Sequence, residues 1–429
     1  MSHLSFMEKL LDGVEVEWQP LCTVGAFLRG KRFVKSDIKS EGVPCVHYGE
    51  LYTHYGIWAE NAKSFIDENL ASKLRVANHG DVIIVAAGET IEDIGNGTAW
   101  LGENDIVFHD ACFSFKSTLN PKYVSYYLRT KNFKEQIKKN ISSGKISSIN
   151  EKGLGKANIP IPCPDNPEKS LEIQAEIVRI LDAFTAMTAE LTAELTAELN
   201  MRKTQYNYYR ERLLSFADGN VEWTTLGDIS LKSYSGGTPT AGVAEYYDGG
   251  TIPWLRTQEV KFNNIRTTDV KITPAALDKS AAKWVPENCV IVAISGATAG
   301  RSAINKIPLT TNQHCCCLEI NSEKALYQYV FYWVGFNYEN LKSLGQGARG
   351  DLNSAIIKNF KIPIPYAADP EKSLAEQARI VAILDKFDVL TNSITEGLPR
   401  EIELRQQQYE HYRDLLLSFP KPEPTPASN

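Results

Sequence analysis

A long internal repeat constrains the fold of this chain more than any other feature. Residues 159–184 read IPIPCPDNPEKSLEIQAEIVRILDAF and residues 362–387 read IPIPYAADPEKSLAEQARIVAILDKF, with 17 of 26 positions identical at an offset of 203. Residues 202–216 and 405–419 share a further 9 of 15 positions at the same offset. The regions that precede each block differ from one another. The chain is therefore a tandem duplication in which one part of each copy has diverged.

Each repeated block has the pattern of a long helix. Pro167 and Pro370 suit a first helical turn, and the apolar positions that follow are spaced by three, four and seven residues, as in a coiled-coil seam. The first copy then spells TAEL three times between Thr188 and Leu199, whereas the second copy contains Pro399, which kinks a helix or begins a new one. The sequence predicts two similar but unequal helices that pack together, antiparallel if the diverged regions lie at opposite ends.

The diverged regions have a mixed pattern. Short apolar runs bounded by Gly, Asn or Asp predict strands, and aromatic-rich segments at 123–137 and 325–344 have helical spacing. The predicted strands include residues 82–87, 289–294 and 315–320. Faint similarity also persists in order, at residues 16–18 and 221–223, at 80–85 and 288–293, and at Gly144 and Gly347. The predicted fold class is α+β, with two mixed α/β regions and a quasi-twofold internal repeat.

One cluster of metal-ligating residue types stands out, His314-Cys315-Cys316-Cys317. The run is typical of a strand, in which adjacent side chains point to opposite faces and cannot easily close a tetrahedral zinc shell. The eight cysteines include no CxxC pair, which favours reduced thiols over a disulfide framework. The sequence therefore predicts small apolar residues in a buried strand and no metal site.

The net charge of −6 does not suggest nucleic-acid binding, but the local distribution does. Residues 116–156 contain ten basic and two acidic residues, which is the footprint expected for phosphate contacts and is equally typical of a solvated helix face. Turns rich in Gly, Ser, Arg and Gln can approach a DNA duplex closely, although any one of them can be purely structural. We expect DNA contacts from Arg29, Lys31, Arg32, Lys138, Lys139, Ser143 and Lys145 in the first diverged region, and from Tyr234, Gly236, Gly237, Thr238, Arg256, Arg301, Gln346 and Arg349 in the second.

Several functions are disfavoured by absent motifs. No GxxxxGK[ST] sequence occurs, which argues against a nucleotide-hydrolysing P-loop. No Pro-Pro dipeptide is present, and the amino-methyltransferase motifs that hold a target base contain one. The apolar runs are too short to cross a bilayer, and the first residues do not have the pattern of a secretory signal. We therefore expect a cytoplasmic chain without catalytic residues of its own.

The whole pattern resembles the specificity subunit of type I restriction-modification systems, the HsdS family. Two unlike regions are each followed by a duplicated IPIP…PEKSL…Q…IV.ILD.F helix and a QY..YR..LLSF ending, and within the family the TAEL run is most similar to the type IC group. The resemblance implies target recognition domains at 1–158 and 218–361, conserved helical regions at 159–217 and 362–419 that form an antiparallel spacer, and a disordered tail at 420–429.

The resemblance also implies what the chain does. It would recognise an asymmetric, bipartite site in double-stranded DNA, and it would dock two adenine-N6 methyltransferase subunits and the restriction subunits. S-adenosylmethionine, ATP and Mg²⁺ would be used by those partners, and this chain would bind no cofactor and span no membrane. We expect partner contacts from Ile177, Leu181, Phe184, Tyr206 and Tyr209, and from Ile380, Leu384, Phe387, Tyr409 and Tyr412.

Two other functions remain open on the sequence. A nonenzymatic scaffold could bind proteins through its diverged regions and use the helix pair as its functional surface. A freestanding methyltransferase or nuclease would require catalytic groups that no motif here indicates. Specific retention of DNA with a modification subunit separates the first alternative from a specificity subunit, and methyl transfer by the chain alone would establish the second.

Overall fold

The computed structural model describes residues 11, 13–144, 146–216, 221–347, 350–393 and 396–419. The chain divides into two compact units. Unit 1 combines Met1–Glu194 with Ile402–Asn429, and unit 2 is Leu195–Glu401. The carboxyl-terminal part of the chain thus belongs to the unit that also contains its beginning. Each unit contains one diverged region together with helical segments from both copies of the repeat.

Unit 1 is built on small sheets. Its strands are β1 (Val16–Pro20), β2 (Gly25–Arg29), β3 (Val43–Val46), β4 (Trp58–Ala59), β5 (Ser64–Ile66), β6 (Val76–Ala77), β7 (Val82–Val85), β8 (Ala87–Gly88), β9 (Gly97–Trp100), β10 (Ile106–Phe108), β11 (Cys112–Ser117), β12 (Ser147–Ser148) and β13 (Asn158–Pro162). They form a five-stranded sheet β2-β11-β7-β9-β4, a four-stranded sheet β5-β3-β10-β6, and the pairs β1-β13 and β8-β12.

The helices of unit 1 are short except where the repeat begins. They are α1 (Leu21–Val24), α2 (Glu50–Thr53), α3 (Glu68–Ala71), α4 (Pro121–Tyr127), α5 (Lys131–Lys138), α6 (Glu151–Gly155) and the first part of α7 (Pro167–Leu214). A 3-10 turn lies at Lys35–Asp37. The Asn120 side chain caps α4 by accepting from Lys122 N and Tyr123 N, and Pro121 occupies its first turn.

Unit 2 repeats this arrangement. Its strands are β14 (Val221–Thr225), β15 (Ser230–Tyr234), β16 (Ile252–Leu255), β17 (Asn263–Ile265), β18 (Val270–Ile272), β19 (Trp284–Val285), β20 (Val290–Ala293), β21 (Ser302–Asn305), β22 (Leu309–Thr311), β23 (Cys315–Ile320) and β24 (Lys361–Pro365). Its helices are α8 (Ala244–Tyr247), α9 (Pro274–Lys279), α10 (Tyr327–Phe336), α11 (Tyr338–Ser343), α12 (Ser354–Asn359) and α13 (Pro370–Asn392), with 3-10 turns at Thr257–Glu259 and Gly296–Thr298.

The two units share one topology although their diverged regions have little sequence in common. The sheets of unit 2 have the orders β15-β23-β20-β21-β17 and β18-β16-β22-β19, which match those of unit 1 strand for strand. In both units the pairings β3-β10 and β16-β22, and likewise β4-β9 and β17-β21, are parallel. The faint sequence similarities therefore mark equivalent strands, because β7 and β20 occupy the same place in their sheets.

The repeated helices are unequal, as the sequence predicts. Helix α7 continues for 48 residues through the TAEL run. The second copy is divided into α13, which ends at Asn392, and α14 (Leu398–Leu416). Pro399 lies in the first turn of α14, where a proline needs no backbone N–H partner. The second helical region is thus two helices rather than one.

Helices from the two copies pack antiparallel within each unit. In unit 1 the Phe184 ring of α7 stacks on the Tyr412 ring of α14, with centroids 5.8 Å apart, and Thr185 Oγ1 lies 3.0 Å from Tyr409 Oη. Residue numbers rise along α7 as they fall along α14, so the two helices run in opposite directions. In unit 2 the Phe387 ring of α13 stacks on Tyr209 of α7 at 5.4 Å. The predicted antiparallel helix pairing is confirmed in both units.

The cysteine run of unit 2 forms a strand, as predicted. Cys316 packs in one hydrophobic core, and Cys315 and Cys317 pack in another on the opposite face of the sheet. Burial raises the pKa of the Cys315 thiol to about 12. Within the described residues, no group of three or more His, Cys, Asp or Glu side chains is placed to hold a metal ion. No helix among those residues has the length and apolarity needed to cross a membrane.

Candidate nucleic-acid interface

Three loops of unit 1 meet at one end of its two large sheets. The chain leaves β2 at Arg29, and Gly30 N donates to Cys112 O at the start of β11. The loop after β3 begins at His47, and the loop after β10 begins at His109, whose N–H donates to Val46 O. Neighbouring strand ends therefore bring together residues that are far apart in the sequence.

A close backbone approach fixes this meeting point. A Cβ added at Gly30 would lie 2.1 Å from His109 O, and one added at Gly236 in unit 2 would lie 1.8 Å from Thr311 O. Both positions follow the first strand of the five-stranded sheet, β2 or β15. Only glycine fits against the neighbouring carbonyl, so the same constraint is built into both units.

A hairpin turn of unit 1 lies beside the three loops. Ser142 and Ser148 pair through two backbone hydrogen bonds of 2.9 and 3.1 Å. Ser148 pairs with Ala87 in β8, and the preceding Ala86 N donates to Ala111 O. The bridge between Ser142 and Ser148 thus anchors the segments beside it next to the loop at His109. Those segments present the exposed Ser143, a predicted contact, and Ile146, which is 61% exposed.

The predicted basic contacts of unit 1 border these loops. The Arg29 Nε donates to Asp110 O at 3.0 Å and Lys31 Nζ donates to Lys73 O at 2.8 Å, while Arg32 is exposed. Lys138 and Lys139 are exposed at the end of α5, just before the hairpin turn. Lys145 lies outside the described residues.

Sequence reasoning missed an aromatic cluster at the centre of this surface. The rings of His47 and His109 lie 4.9 Å apart, and Tyr48 packs 4.5 Å from His47 and 5.1 Å from His109. Burial lowers the pKa of both histidines below its usual range, although Glu50 and Asp110 oppose the shift. The sequence does contain an indication of this cluster, because His47 and His109 each directly follow an apolar run that forms a strand.

Unit 2 has the same backbone arrangement with different side chains. Arg256 stands where unit 1 has His47, since each residue follows the equivalent strand and its N–H donates to a glutamate three residues later. Asn312 stands where unit 1 has His109. Asn312 Oδ1 accepts from His314 N at 3.1 Å, just as His109 Nδ1 accepts from Ala111 N at 3.1 Å.

The predicted contacts of unit 2 divide into available and occupied groups. Thr238 is exposed and donates to the Gln313 side chain at 2.6 Å. The Nε of Arg256 has no hydrogen-bond acceptor among the described residues, although Glu259 Oε1 lies 3.8 Å away. Gln346 is exposed and pairs with Asp351, and Arg349 lies outside the described residues.

Three other predicted positions of unit 2 serve the fold. The Tyr234 hydroxyl donates to Glu319 Oε2 at 2.5 Å, which raises the pKa of the phenol to about 12. Gly237 is buried, and its carbonyl accepts from Trp254 Nε1 at 3.1 Å. Arg301 is half-buried. Its carbonyl accepts from Ala293 N, and its N–H donates to Thr298 O. The Tyr234 hydroxyl and the Gly237 carbonyl are therefore occupied by internal hydrogen bonds.

The basic run at residues 116–156 is also partly internal. Arg129 is half-buried, its guanidinium donates to Gly56 O at 2.8 Å and Gly97 O at 3.2 Å, and desolvation lowers its pKa. Lys134 Nζ donates to two carbonyls and to Asn96 Oδ1, and burial lowers its pKa to about 7. Lys122 pairs with Asp182 at 2.9 Å. The interpretation of the whole run as a phosphate footprint is wrong for these three cations.

Four of the predicted partner contacts are core residues. Ile177, Leu181, Ile380 and Leu384 are buried in the hydrophobic cores of this chain, where another subunit cannot reach them. Their spacing reflects internal packing. Phe184 and Tyr412 pair with each other, as do Phe387 and Tyr209, while Tyr206 and Tyr409 are half-buried beside them.

Comparison with known proteins agrees with this geometry. The family model described as "Type I restriction modification DNA specificity domain" matches residues 15–201 and 220–404, so that each match spans one diverged region and the following helix. The chain is 42% identical to the EcoR124I/EcoR124II specificity subunit of Escherichia coli, over 99% of each chain.

Solved structures share the fold at low sequence identity. A structure from a study of complex assembly and conformational transition of the type I restriction-modification system has a TM-score of 0.64 and 14% identity, covering 94% of this chain and 97% of that one. The HsdS subunit from Thermoanaerobacter tengcongensis has a TM-score of 0.52 and 15% identity, with 94% and 95% covered. The chain belongs to the family of type I restriction-modification specificity subunits.

Proposed function

We propose that the chain recognises a bipartite, asymmetric site in double-stranded DNA, with the interface of unit 1 reading one half-site and that of unit 2 reading the other. The observation that supports this is that the two units share one backbone arrangement but carry different side chains at their interfaces. Unit 1 places His47, His109 and Arg29 where unit 2 places Arg256, Asn312 and Ser235. Because base edges are distinguished by donors, acceptors and methyl groups, different side chains on one scaffold should read different bases.

The chemistry belongs to partners in this proposal. Two adenine-N6 methyltransferase subunits and the restriction subunits assemble on the chain, which itself is non-catalytic and works in the cytoplasm. S-adenosylmethionine, ATP and Mg²⁺ are used by those partners. A target base must leave the duplex to be methylated, so the specificity subunit has only to hold the partner over the correct site.

The docking surface for the methyltransferases can be inferred from the repeat. Identity between the two copies extends to exposed positions that internal packing does not require. Glu168 and Ala175 are exposed on α7, and Leu171 is 40% exposed there. The equivalents in the second copy are Glu371, Leu374 and Ala378. Spacings of three and four residues place each trio on one helix face. Two copies of one partner would each require such a face.

The experiment that tests the function is co-expression with a modification subunit, followed by mapping of methyladenine across the host genome at single-base resolution. We expect one bipartite motif that disappears when the gene for this chain is deleted. A contiguous motif, or no motif from a complex that is shown to assemble, contradicts the proposal and leaves a partner-binding scaffold.

Docking is tested with charge substitutions on the repeated face. Leu171→Glu with Leu374→Glu should abolish co-purification of the methyltransferase, because each adds a charge to a desolvated contact. Met187→Glu is the matched control, since Met187 is exposed on α7 and differs from its counterpart Leu390. Equal loss of binding by the control contradicts this docking surface.

The TAEL run gives a quantitative test of the spacer. Removing Thr192–Leu195 takes about 6 Å and about 40° of rotation beyond a full turn from α7. One base pair contributes about 3.4 Å and about 34 to 36°. We propose that the chain is a member of the type IC group. We expect the methylated motif of the deletion variant to lose one unread base pair while both half-sites stay the same. An unchanged motif contradicts this.

A further inference from the structure

Two buried glutamines join the repeated helices to the recognition regions in the same way. Gln174 Oε1 accepts from Asn120 N at 2.9 Å, and Gln174 Nε2 donates to Ser170 Oγ at 3.0 Å. In unit 2, Gln377 Oε1 accepts from Leu326 N at 2.9 Å and its Nε2 lies 3.1 Å from Ser373 Oγ. Both glutamines are completely buried, and each satisfies its side-chain oxygen with a backbone N–H of the recognition region.

A tyrosine and an aspartate make the second connection. Tyr126 Oη donates to Asp182 Oδ1 at 2.9 Å in unit 1, and Tyr332 Oη donates to Asp385 Oδ1 at 2.5 Å in unit 2. Each aspartate lies on the repeated helix, eight residues after the glutamine. The two connections are therefore about two turns, or roughly 12 Å, apart along that helix.

Both connections hold one short helix of the recognition region. Asn120 caps α4 and Tyr126 lies near its end, and Leu326 and Tyr332 have the corresponding positions in α10. A helix that is held at two points along its length cannot swing or rotate against its neighbour. We call the four groups of each unit the helix clamp: Gln174, Asp182, Asn120 and Tyr126 in unit 1, and Gln377, Asp385, Leu326 and Tyr332 in unit 2.

The clamped helix is continuous with the sheet that carries the interface loops. The buried Ser125 hydroxyl of α4 shares its hydrogen between two carbonyls, Ile57 O at 2.6 Å and Gly97 O in β9 at 2.7 Å. Strand β9 pairs with β7, which pairs with β11. Rigid elements therefore lead from the repeated helix to the loop at His109.

The clamp also appears in the sequence of the diverged regions. Tyr-Val-x-Tyr occurs at Tyr123 to Tyr126 and again at Tyr329 to Tyr332, at an offset of 206 rather than 203. The first tyrosine of each motif donates to a proline carbonyl of the repeated IPIP segment, Pro160 O at 2.8 Å or Pro363 O at 2.7 Å. Both tyrosines of the motif are the same in the two units, and their hydroxyls all bond to the repeated segments.

We propose that the helix clamps are positioning devices that fix each recognition region on its spacer helix and so restrict the complex to one spacing between half-sites. The inference rests on the proposed function. None of the clamp residues needs to touch DNA. Loosening a clamp lets one recognition region move against its helix, and DNA sites with a neighbouring spacer length then become acceptable.

The test is the spacer tolerance of a clamp variant in the assembled complex. Gln174→Ala with Tyr126→Phe should raise methylation of sites whose spacer differs by one base pair by about tenfold over wild type, with both half-sites unchanged. Tyr127→Phe is the matched control, because its hydroxyl lies on the same helix but donates to Asn158 O instead of α7. The control should keep a single spacer length.

Single substitutions protect the test against a folding defect. If the double variant does not assemble, Tyr126→Phe and Tyr332→Phe each remove one hydroxyl and should broaden the spacer to a smaller extent. Clamp variants that keep one spacer length, or that change the bases of a half-site, overturn the proposal. A wild-type motif without a spacer overturns the proposed function and this inference with it, so the two failures are distinguishable.

The units also predict an asymmetry. In unit 1 Asp182 accepts from Lys122 Nζ at 2.9 Å in addition to Tyr126. Among the described residues of unit 2, only Tyr332 bonds to the Asp385 carboxylate. Tyr332→Phe should therefore broaden the spacer more than Tyr126→Phe, and Lys122→Met combined with Tyr126→Phe should remove the difference. Equal broadening by the two single variants contradicts this ranking.

Discussion

The interface of unit 1 and the interface of unit 2 differ in side chains and agree in backbone. Equivalent strand ends carry His47 and His109 in one and Arg256 and Asn312 in the other. The hydrogen bonds that shape the loops are kept, because a glutamate side chain still accepts from the backbone N–H of the residue after the strand. A scaffold that is held by such bonds can exchange the side chain after the strand without losing its shape.

The shared part of the two interfaces should be the least tolerant of change. Gly30→Ala and Gly236→Ala would each place a Cβ within about 2 Å of a carbonyl, and we expect each to lower the free energy of unfolding by about 3 kcal/mol or more. Gly144→Ala is the control on the same surface, since its Cβ would meet nothing closer than Ile146 O at 3.7 Å. Denaturant unfolding of the full chain measures all three. A Gly236→Ala variant as stable as the control contradicts the common scaffold.

The divergent part should affect one half-site at a time. Arg256→Ala should change the base preference in the half-site read by unit 2 by about 1–3 kcal/mol per base, and it should leave the other half-site unaltered. Arg29→Ala should change only the half-site read by unit 1. Each variant serves as the other's control. Competition binding of the complex to duplexes that vary in one half-site provides the measurement. A change in both half-sites from either variant would show that the interfaces are not independent.

The half-buried Lys134 of unit 1 predicts a pH dependence of stability. The pKa of Lys134 is lowered to about 7 in the folded chain by burial, and an unfolded lysine titrates near 10.4. Between these values the unfolded state binds more protons, so stability should rise with pH from about 7 to about 10, by up to about 1.4 kcal/mol per pH unit. Lys134→Met should abolish this rise, as followed by thermal unfolding at several pH values. Falling or constant stability in wild type over this range contradicts the assignment.

The smallest expected effect concerns phosphate contacts. Lys138 is exposed at the end of α5, so Lys138→Ala should weaken binding to all DNA sequences alike and reduce the slope of log affinity against log salt by about 1. Arg29→Ala should alter preference instead. Binding titrations at several salt concentrations separate the two cases. Altered preference from Lys138→Ala would place that side chain on a base edge.

The repeat was enough to predict most of the fold, but it predicted few of the residues at the candidate interface. Pro399 predicted where the second helical region divides, and the cysteine run predicted β23. The basic run misled, because Arg129 and Lys134 are bound by carbonyls from distant segments. The apolar seam positions misled in the same way, since Ile177 and Leu384 are satisfied within their own units. Periodicity identifies a buried face but does not identify what covers it.

The sequence by itself determined the duplication, the unequal helices, three central strands of the diverged regions and the family to which the chain belongs, because these depend on local periodicity and on identity between two segments. Only the tertiary structure decided which loops share a surface, which cations stay exposed and which hydroxyls hold the helices. Those facts depend on residues such as Gly30 and His109, or Tyr126 and Asp182, that lie tens of residues apart and meet through strand order and helix packing. The spacing of residues along the sequence does not show which distant residues meet in the folded chain.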